Sequence, residues 1–178
     1  MRARRGFLAQ AGFLLAAALG AHDVDAAEVR SAGAGVIGWV EPVQVEDKLV
    51  LNAKIDTGAD IPSLDAQDVK ITRRGRKEWV SFWTKGRDKE RVDFEREIYR
   101  YVDIERAGGQ NEKRPAVILS LCLGDVRREV VVNLVDRSQL EYPMIIGRSF
   151  LQNKFIVDPT HTYTTVPSCA PTKEKETQ

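Results

Sequence analysis

The apolar runs in this chain are short, rich in β-branched and aromatic residues, and repeatedly cut by turn signals. "LVLNAKI" (49–55), "KEWVSFWTKG" (77–86), "RVDFEREIYRYVDIE" (91–105) and "REVVVNLVDRS" (128–138) are of this kind, and "GVIGWVEPVQV" (35–45) carries a proline suited to an edge strand or a bend. "PAVILSLCLGD" turns at Gly124-Asp125 and reads as one arm of a hairpin. In "YPMIIGRSFLQNKFIVDP" (142–159) an apolar run meets Gly147, a short helix follows, and a last strand closes. The pattern predicts an all-β domain with one short helix near its end. With 178 residues, of which 43% are hydrophobic and 30% charged, the chain is long enough for one core of ordinary size.

The first residues are of another kind. "MRARRGFLAQAGFLLAAALGA" sets three arginines before a brief apolar stretch, the layout of a secretory signal. Small residues in "VDA" place the cut after Ala26, with Ala21 as second choice, and the apolar run is too short for a comfortable membrane span. The expected organisation is a signal at 1–26, a linker at 27–35, a folded domain at 36–159 and a flexible tail at 160–178. The expected location is the periplasm, with an uncleaved signal anchor as the one membrane alternative. After export Cys122 and Cys169 meet oxidising conditions, where they can pair, or Cys122 can serve as a buried small hydrophobe. A reactive, exposed Cys122 would instead point to a redox protein.

Several chemistries are excluded early. A formal net charge of +1 gives no electrostatic case for nucleic acid or an anionic membrane surface. The histidines are His22 and His161, and there is no HExxH or CxxC, so a zinc hydrolase has no ligand set. "GAGVIG" (33–38) precedes a strand instead of following one, so it is no phosphate cradle. No cofactor or metal is expected, and carboxylates remain as the hydrolytic groups.

"NAKIDTGADIPSL" (52–64) offers such a carboxylate: a strand runs straight into Asp56-Thr57-Gly58. Asp56 could simply cap its own backbone in an Asx turn. An aspartate that activates water needs a second carboxyl close by, one of the two holding a proton. A glycine after it permits the sharp turn.

The pair "DTGAD" (56–60) and "IIGRSFL" (145–151) resembles the retropepsin family of aspartic proteases. Matching residue to residue, the resemblance implies that Asp56 is the catalytic aspartate and Thr57 the threonine that locks two loops together. Gly58 is then the turn glycine and Ala59 its small follower. Ile145, Ile146 and Gly147 form the apolar loop beneath the site, and Asp60 pairs with Arg148 beside it. "GW" (38–39), "LVDRS" (134–138) and "YPMIIGR" (142–148) extend the likeness over Val36 to Asp158. They point to a bacterial group often labelled ATP-dependent zinc proteases, a label for which this chain has neither phosphate loop nor zinc ligands. That group often carries arginine where this chain has Asp60. The implied fold is a closed acid-protease barrel with one half-site per chain.

No second Asp-Thr-Gly exists in the chain. The reading therefore requires a homodimer with Asp56 facing its mate across a twofold axis, acting on a peptide or protein substrate. A covering flap is expected at "WTKGRDKER" (83–91), with Gly86 at its tip, or at "AGGQN" (107–111). The alternative is a non-catalytic barrel that binds an envelope protein or peptide.

Overall fold

The computed structural model describes residues 34–105 and 111–171. The expected signal (1–26), linker residues 27–33 and tail residues 172–178 lie outside the described residues. Within them run β1 (Gly35–Gly38), β2 (Val40–Val45), β3 (Leu49–Ile55), β4 (Ser63–Asp65), β5 (Gln67–Arg74) and β6 (Lys77–Lys85). β7 (Arg91–Glu97), β8 (Arg100–Glu105), β9 (Asn111–Leu123), β10 (Val126–Val135) and β11 (Met144–Ile146) follow, then α1 (Arg148–Leu151) and β12 (Phe155–Asp158). The fold is all-β with one short helix. Among the described residues no helix is long and apolar enough to cross a membrane.

In the largest sheet β10 lies parallel to β4, β4 antiparallel to β11, and β11 parallel to β3. β3 pairs with β2, β2 with the end of β9, and β9 returns to β10 through the expected hairpin at Gly124-Asp125. The pairings thus make a circuit of six strands, with β8 added on β9 as an outer edge. Pro42 is tolerated because β2 meets β9 only at Gln44 and Val45, so the proline lies where β3 is the one neighbouring strand. β3 shows how the core is made. Leu49, Leu51, Ala53 and Ile55 are all buried, with the period of two that a strand imposes. They meet Val43, Leu121, Leu134, Met144 and Phe150 in one cluster, where a fully buried Leu or Val side chain contributes about 1.5–3 kcal/mol. The same period turns Asn52 and Lys54 to the other face.

β5, β6 and β7 form a separate antiparallel sheet. Val80, Phe82 and Thr84 of β6 are buried, while Trp79 and Trp83 alternate with them and lie under Arg74 and Arg91. The run 91–105 reads as one segment in the sequence but breaks at Ile98-Tyr99. There the chain leaves this sheet and joins β9, which accounts for its imperfect alternation. β1 and β12 pair in parallel, setting Val36 beside Ile156, 61% and 47% exposed.

The structure departs from the expected tail. Residues 161–165 lie along β2, and Ser168 and Cys169 reach the β9–β10 turn, instead of trailing free. The Trp39 N–H donates to the His161 carbonyl (2.9 Å) and the Tyr163 N–H to the Val40 carbonyl (2.8 Å). Glu41, wholly buried, accepts from the N–H groups of Gly38 (2.7 Å), Thr164 (3.0 Å) and Thr165 (2.9 Å) and from both threonine hydroxyls. A disulfide between Cys122 and Cys169 fastens the end of this strap to β9. Cys122 is thus both bridged and buried, which leaves the redox-protein reading without its exposed thiol. The strap has no hydrophobic period because a buried carboxylate and a covalent bond hold it, so pattern reading takes it for a loose tail.

Burial pushes the Glu41 carboxyl up, but the bonds from Thr164, Thr165 and Gly38 outweigh it and leave its pKa below the ordinary value. A lowered folded-state pKa gives stability that is present above the unfolded-state value and is lost as pH falls through the folded one. Glu41→Gln should therefore reduce the unfolding free energy by about 1.5–3 kcal/mol at neutral pH, measured by urea denaturation. The gap to wild type should close below pH ~4; a gap that ignores pH would show that the charge of Glu41 is not what anchors the strap.

Candidate active site

β3 delivers Asp56 to the edge of the core, and the parallel partner β11 holds it there. In their register Ile145 lies opposite Lys54 and Ile146 opposite Ile55. The Asp56 N–H then donates to the Ile146 carbonyl (2.9 Å). Asp56 Oδ1 accepts from the N–H groups of Gly58 (2.9 Å) and Ala59 (3.3 Å), which fixes the carboxylate's orientation. This is the Asx turn weighed above, and it engages one of the two carboxylate oxygens.

The two sequence motifs meet along several bonds. The Arg148 and Ser149 N–H groups donate to the carbonyls of Ala59 and Asp60 (both 2.9 Å). The Arg148 guanidinium donates to the carbonyls of Thr57 and Gly58 (both 2.8 Å) and pairs with Asp60. The expected ion pair therefore forms, but in the open: Asp60 is 83% exposed and Arg148 50%. An exposed pair contributes little by itself, and within one chain Arg148 matters more as a clamp on two loop carbonyls. Ile146 is buried beneath the loop, whereas Ile145 faces the cavities beside it. Gly147 is required by close approach, since a Cβ there would lie 2.7 Å from the Ile61 carbonyl carbon and 2.9 Å from the Ala59 oxygen.

A cavity of about 400 Å³ opens beside Asp56, lined also by Trp39, Lys54, Arg137, Tyr142 and Ile145. A second, of about 390 Å³, lies between the 59–61 loop and β8, with Arg100, Arg114 and Arg137 on its walls. Arg137 borders both. Its backbone N–H donates to Asp65 Oδ1 (2.6 Å) and its Nε to the Tyr142 carbonyl (3.1 Å). Burial and the nearby Arg114 draw it below an arginine's ordinary pKa, while Asp65 and Asp56 pull the other way; it remains a cation at neutral pH. Neighbouring Asp136 is held down to about 2 by hydrogen bonds from Gln67 and Ser138. Gln67 also donates to Asp65, so one side chain ties both acids that flank this arginine.

Gly86 does not cover this site. Gly86 is itself buried while residues 87–90 of its turn are exposed, and the turn is tied to the start of β3, the Arg87 N–H donating to the Val50 carbonyl (2.7 Å). Six residues of strand, about 20 Å, separate Val50 from Asp56. The segment that does face the 59–61 loop across a cavity is β8, through Arg100, Val102 and Ile104. Of the alternative at 107–111, residues 107–110 lie outside the described residues, and Asn111 opens β9. Among the described residues no group of three or more His, Cys, Asp or Glu side chains is placed to hold a metal.

With this geometry in view, comparison with known proteins is decisive for the family. A family model described as the retropepsin-like aspartic endopeptidase RimB matches residues 36–168. The chain belongs to the RimB-like family. The matched span reaches past Asp158 and takes in most of the strap. A solved structure, protein Lpg0085 of unknown function (DUF785) from Legionella pneumophila subsp. pneumophila str. Philadelphia 1, is 33% identical with a TM-score of 0.64; the match covers 74% of this chain and 98% of that one. Two curated relatives are named "Probable alpha-L-glutamate ligase". That of Shewanella pealeana is 30% identical over 64% of this chain and 25% of its own length; that of Desulfotalea psychrophila is 26% identical over 61% and 24%. The chain thus spans about a quarter of the curated relatives it matches.

Trp39, Lys54, Arg100, Arg114, Arg137 and Tyr142 were given no role by the sequence. Lys54 was within reach of it, two residues before Asp56 on a strand of period two. The Gly147 contacts make a test. Gly147→Ala should cost about 1–3 kcal/mol, because the added methyl meets backbone that has nowhere to move. Calorimetry should record this as a lower Tm; an unchanged Tm would mean that the 59–61 loop is not held against Gly147 as described.

Proposed function

We propose that this RimB-like protein is an exported aspartic endopeptidase that works as a homodimer, with the six-strand circuit as a closed barrel of the acid-protease type. The observation that carries the reading is the junction of the two motifs: β11 and Arg148 grip the Asp56 loop and leave its carboxylate beside an open cavity. One chain supplies one such carboxylate, so a second copy supplies the other.

Two such acids close together share a proton. The ionised Asp56 takes a proton from water as its oxygen bonds to the scissile carbonyl carbon, and the protonated mate gives its proton to the carbonyl oxygen. Collapse of the tetrahedral species breaks the C–N bond, the amine leaving with a proton returned from the pair. Exposed Thr57 shares a groove with Phe155 and Val157, and the uncovered Val36–Ile156 pair lies on the same terminal sheet. The exposed Val36–Ile156 pair, on the outer side of that sheet, supports docking of the second copy. The Cys122–Cys169 bridge supports an oxidising, exported setting.

The cavities also bear on the substrate. Lys54, Arg100, Arg114 and Arg137 line them together with four carboxylates, Asp56, Asp60, Asp103 and Glu141, of which Asp60 is held by Arg148, as Arg114 is by Glu112. Arg137, on the wall of both cavities, can receive an anionic side chain, and the curated relatives are named for α-L-glutamate chemistry. A Glu-rich peptide is accordingly the substrate class proposed.

A purified-protein digest of a peptide library at pH 4 to 7 should show cleavage, enriched at acidic sequences. Asp56→Asn should abolish it while leaving the fold and the dimer intact; cleavage at the wild-type rate by that variant would end the protease reading. Sedimentation should give a dimer at micromolar concentration. A strict monomer would favour the non-catalytic binding module instead.

A further inference from the structure

Trp39 joins three parts of the molecule that are far apart in sequence. Its N–H donates to the His161 carbonyl of the strap, and its own carbonyl accepts from the N–H of Ile55, the residue before Asp56 (2.8 Å). Its indole stands edge-on to Tyr142, ring centres 6.0 Å apart, and both rings wall the cavity beside Asp56. Gly38 allows the strap to come this close, since a Cβ there would lie within contact distance of the His161 carbonyl. Farther along, Glu41 holds Thr164 and Thr165, and the disulfide fastens Cys169 to β9.

We infer that Trp39 is a specificity-determining residue of the cavity beside Asp56, and that the disulfide-latched strap holds it in place, so that a thiol reductant weakens substrate binding. The inference rests on the protease reading. Trp39 and Tyr142 take the apolar stem of a substrate side chain, and Lys54 and Arg137 take its polar end. The bridge removes states in which the strap lifts from β2; cutting it returns them to the local-opening ensemble. Each such opening frees the Trp39 N–H and loosens the wall. The reductant is a dithiol. It passes two electrons and two protons to the Cys122–Cys169 bond, giving two thiols, and is itself oxidised to a disulfide.

The test uses the full chain carrying Trp79→Phe and Trp83→Phe, which leaves Trp39 as the sole indole reporter. Both replaced tryptophans lie on the separate β5–β7 sheet. Dithiothreitol, with bridge opening checked by mass, should raise acrylamide quenching of Trp39 about twofold or more while far-UV circular dichroism stays unchanged. Cys169→Ser should behave as the reduced protein does without reductant. In peptide cleavage, reduction should raise KM about fivefold and leave kcat unaltered. Trp39→Ala should do likewise, and Trp39→Phe should restore most of the loss. Unchanged quenching after the bridge opens would overturn the latch. Equal KM values for Trp39→Ala and wild type would overturn the specificity role and leave the protease reading standing. Absence of cleavage in both redox forms would overturn the protease reading and the specificity role with it, while quenching alone decides the latch.

Discussion

The pairing of β3 with β11 is the constraint on which the rest of the site depends. Two parallel strands cannot be joined by a tight turn, so everything between them has to be laid down elsewhere before they meet. The intervening chain builds the separate three-stranded sheet, the β8 edge and the β9–β10 hairpin, and only then returns Ile146 beside Ile55. What the pairing achieves is local. The Asp56 N–H finds its acceptor on Ile146, and the next residues of both strands turn away together, with Gly147 giving the loop room. A carboxylate at the end of an apolar strand would otherwise be costly. Here its backbone and one oxygen are bonded while it borders an open cavity.

A second element supports the first from behind. The strap and Trp39 connect the chain's last described segment to the residue before Asp56 through backbone bonds on both sides of one tryptophan. Buried Glu41 is its central fastening, a charge kept inside the protein because five donors replace its water. The disulfide adds a covalent stop. These fastenings lie on one side of Asp56, and the cavities lie against it, so the Asp56 loop is braced on one flank and open on the other. In the curated relatives such a domain accounts for about a quarter of a longer chain.

How legible this was depends on the kind of interaction. Asp56, Thr57 and Gly58 were readable because a strand signal ends abruptly in a charge and a turn residue. Ile145 to Arg148 were readable as the companion motif, and the two do meet. The Asp60–Arg148 pair forms as expected, but its exposure was not legible, since burial belongs to surroundings that residue types do not disclose. The flap expectation at Gly86 failed for a similar reason. Composition marks a turn without saying which surface it docks on, and this one docks at the far end of β3. The strap was missed because its fastenings, Glu41 to Thr164 and Thr165 and Cys122 to Cys169, join residues remote in sequence.

The sequence by itself determined the strand-rich class, the short helix after Gly147 and the Asp56-Thr57-Gly58 turn at the end of a strand. These follow from local rules: side-chain period, turn chemistry and the cost of an unsolvated charge. Only the tertiary structure decided that the two motifs share one loop system, that Cys122 meets Cys169, and that Lys54, Arg137 and Trp39 surround Asp56. Those juxtapositions come from strand register and chain crossing, which set distances between residues remote in sequence and leave no periodic mark on the residues themselves.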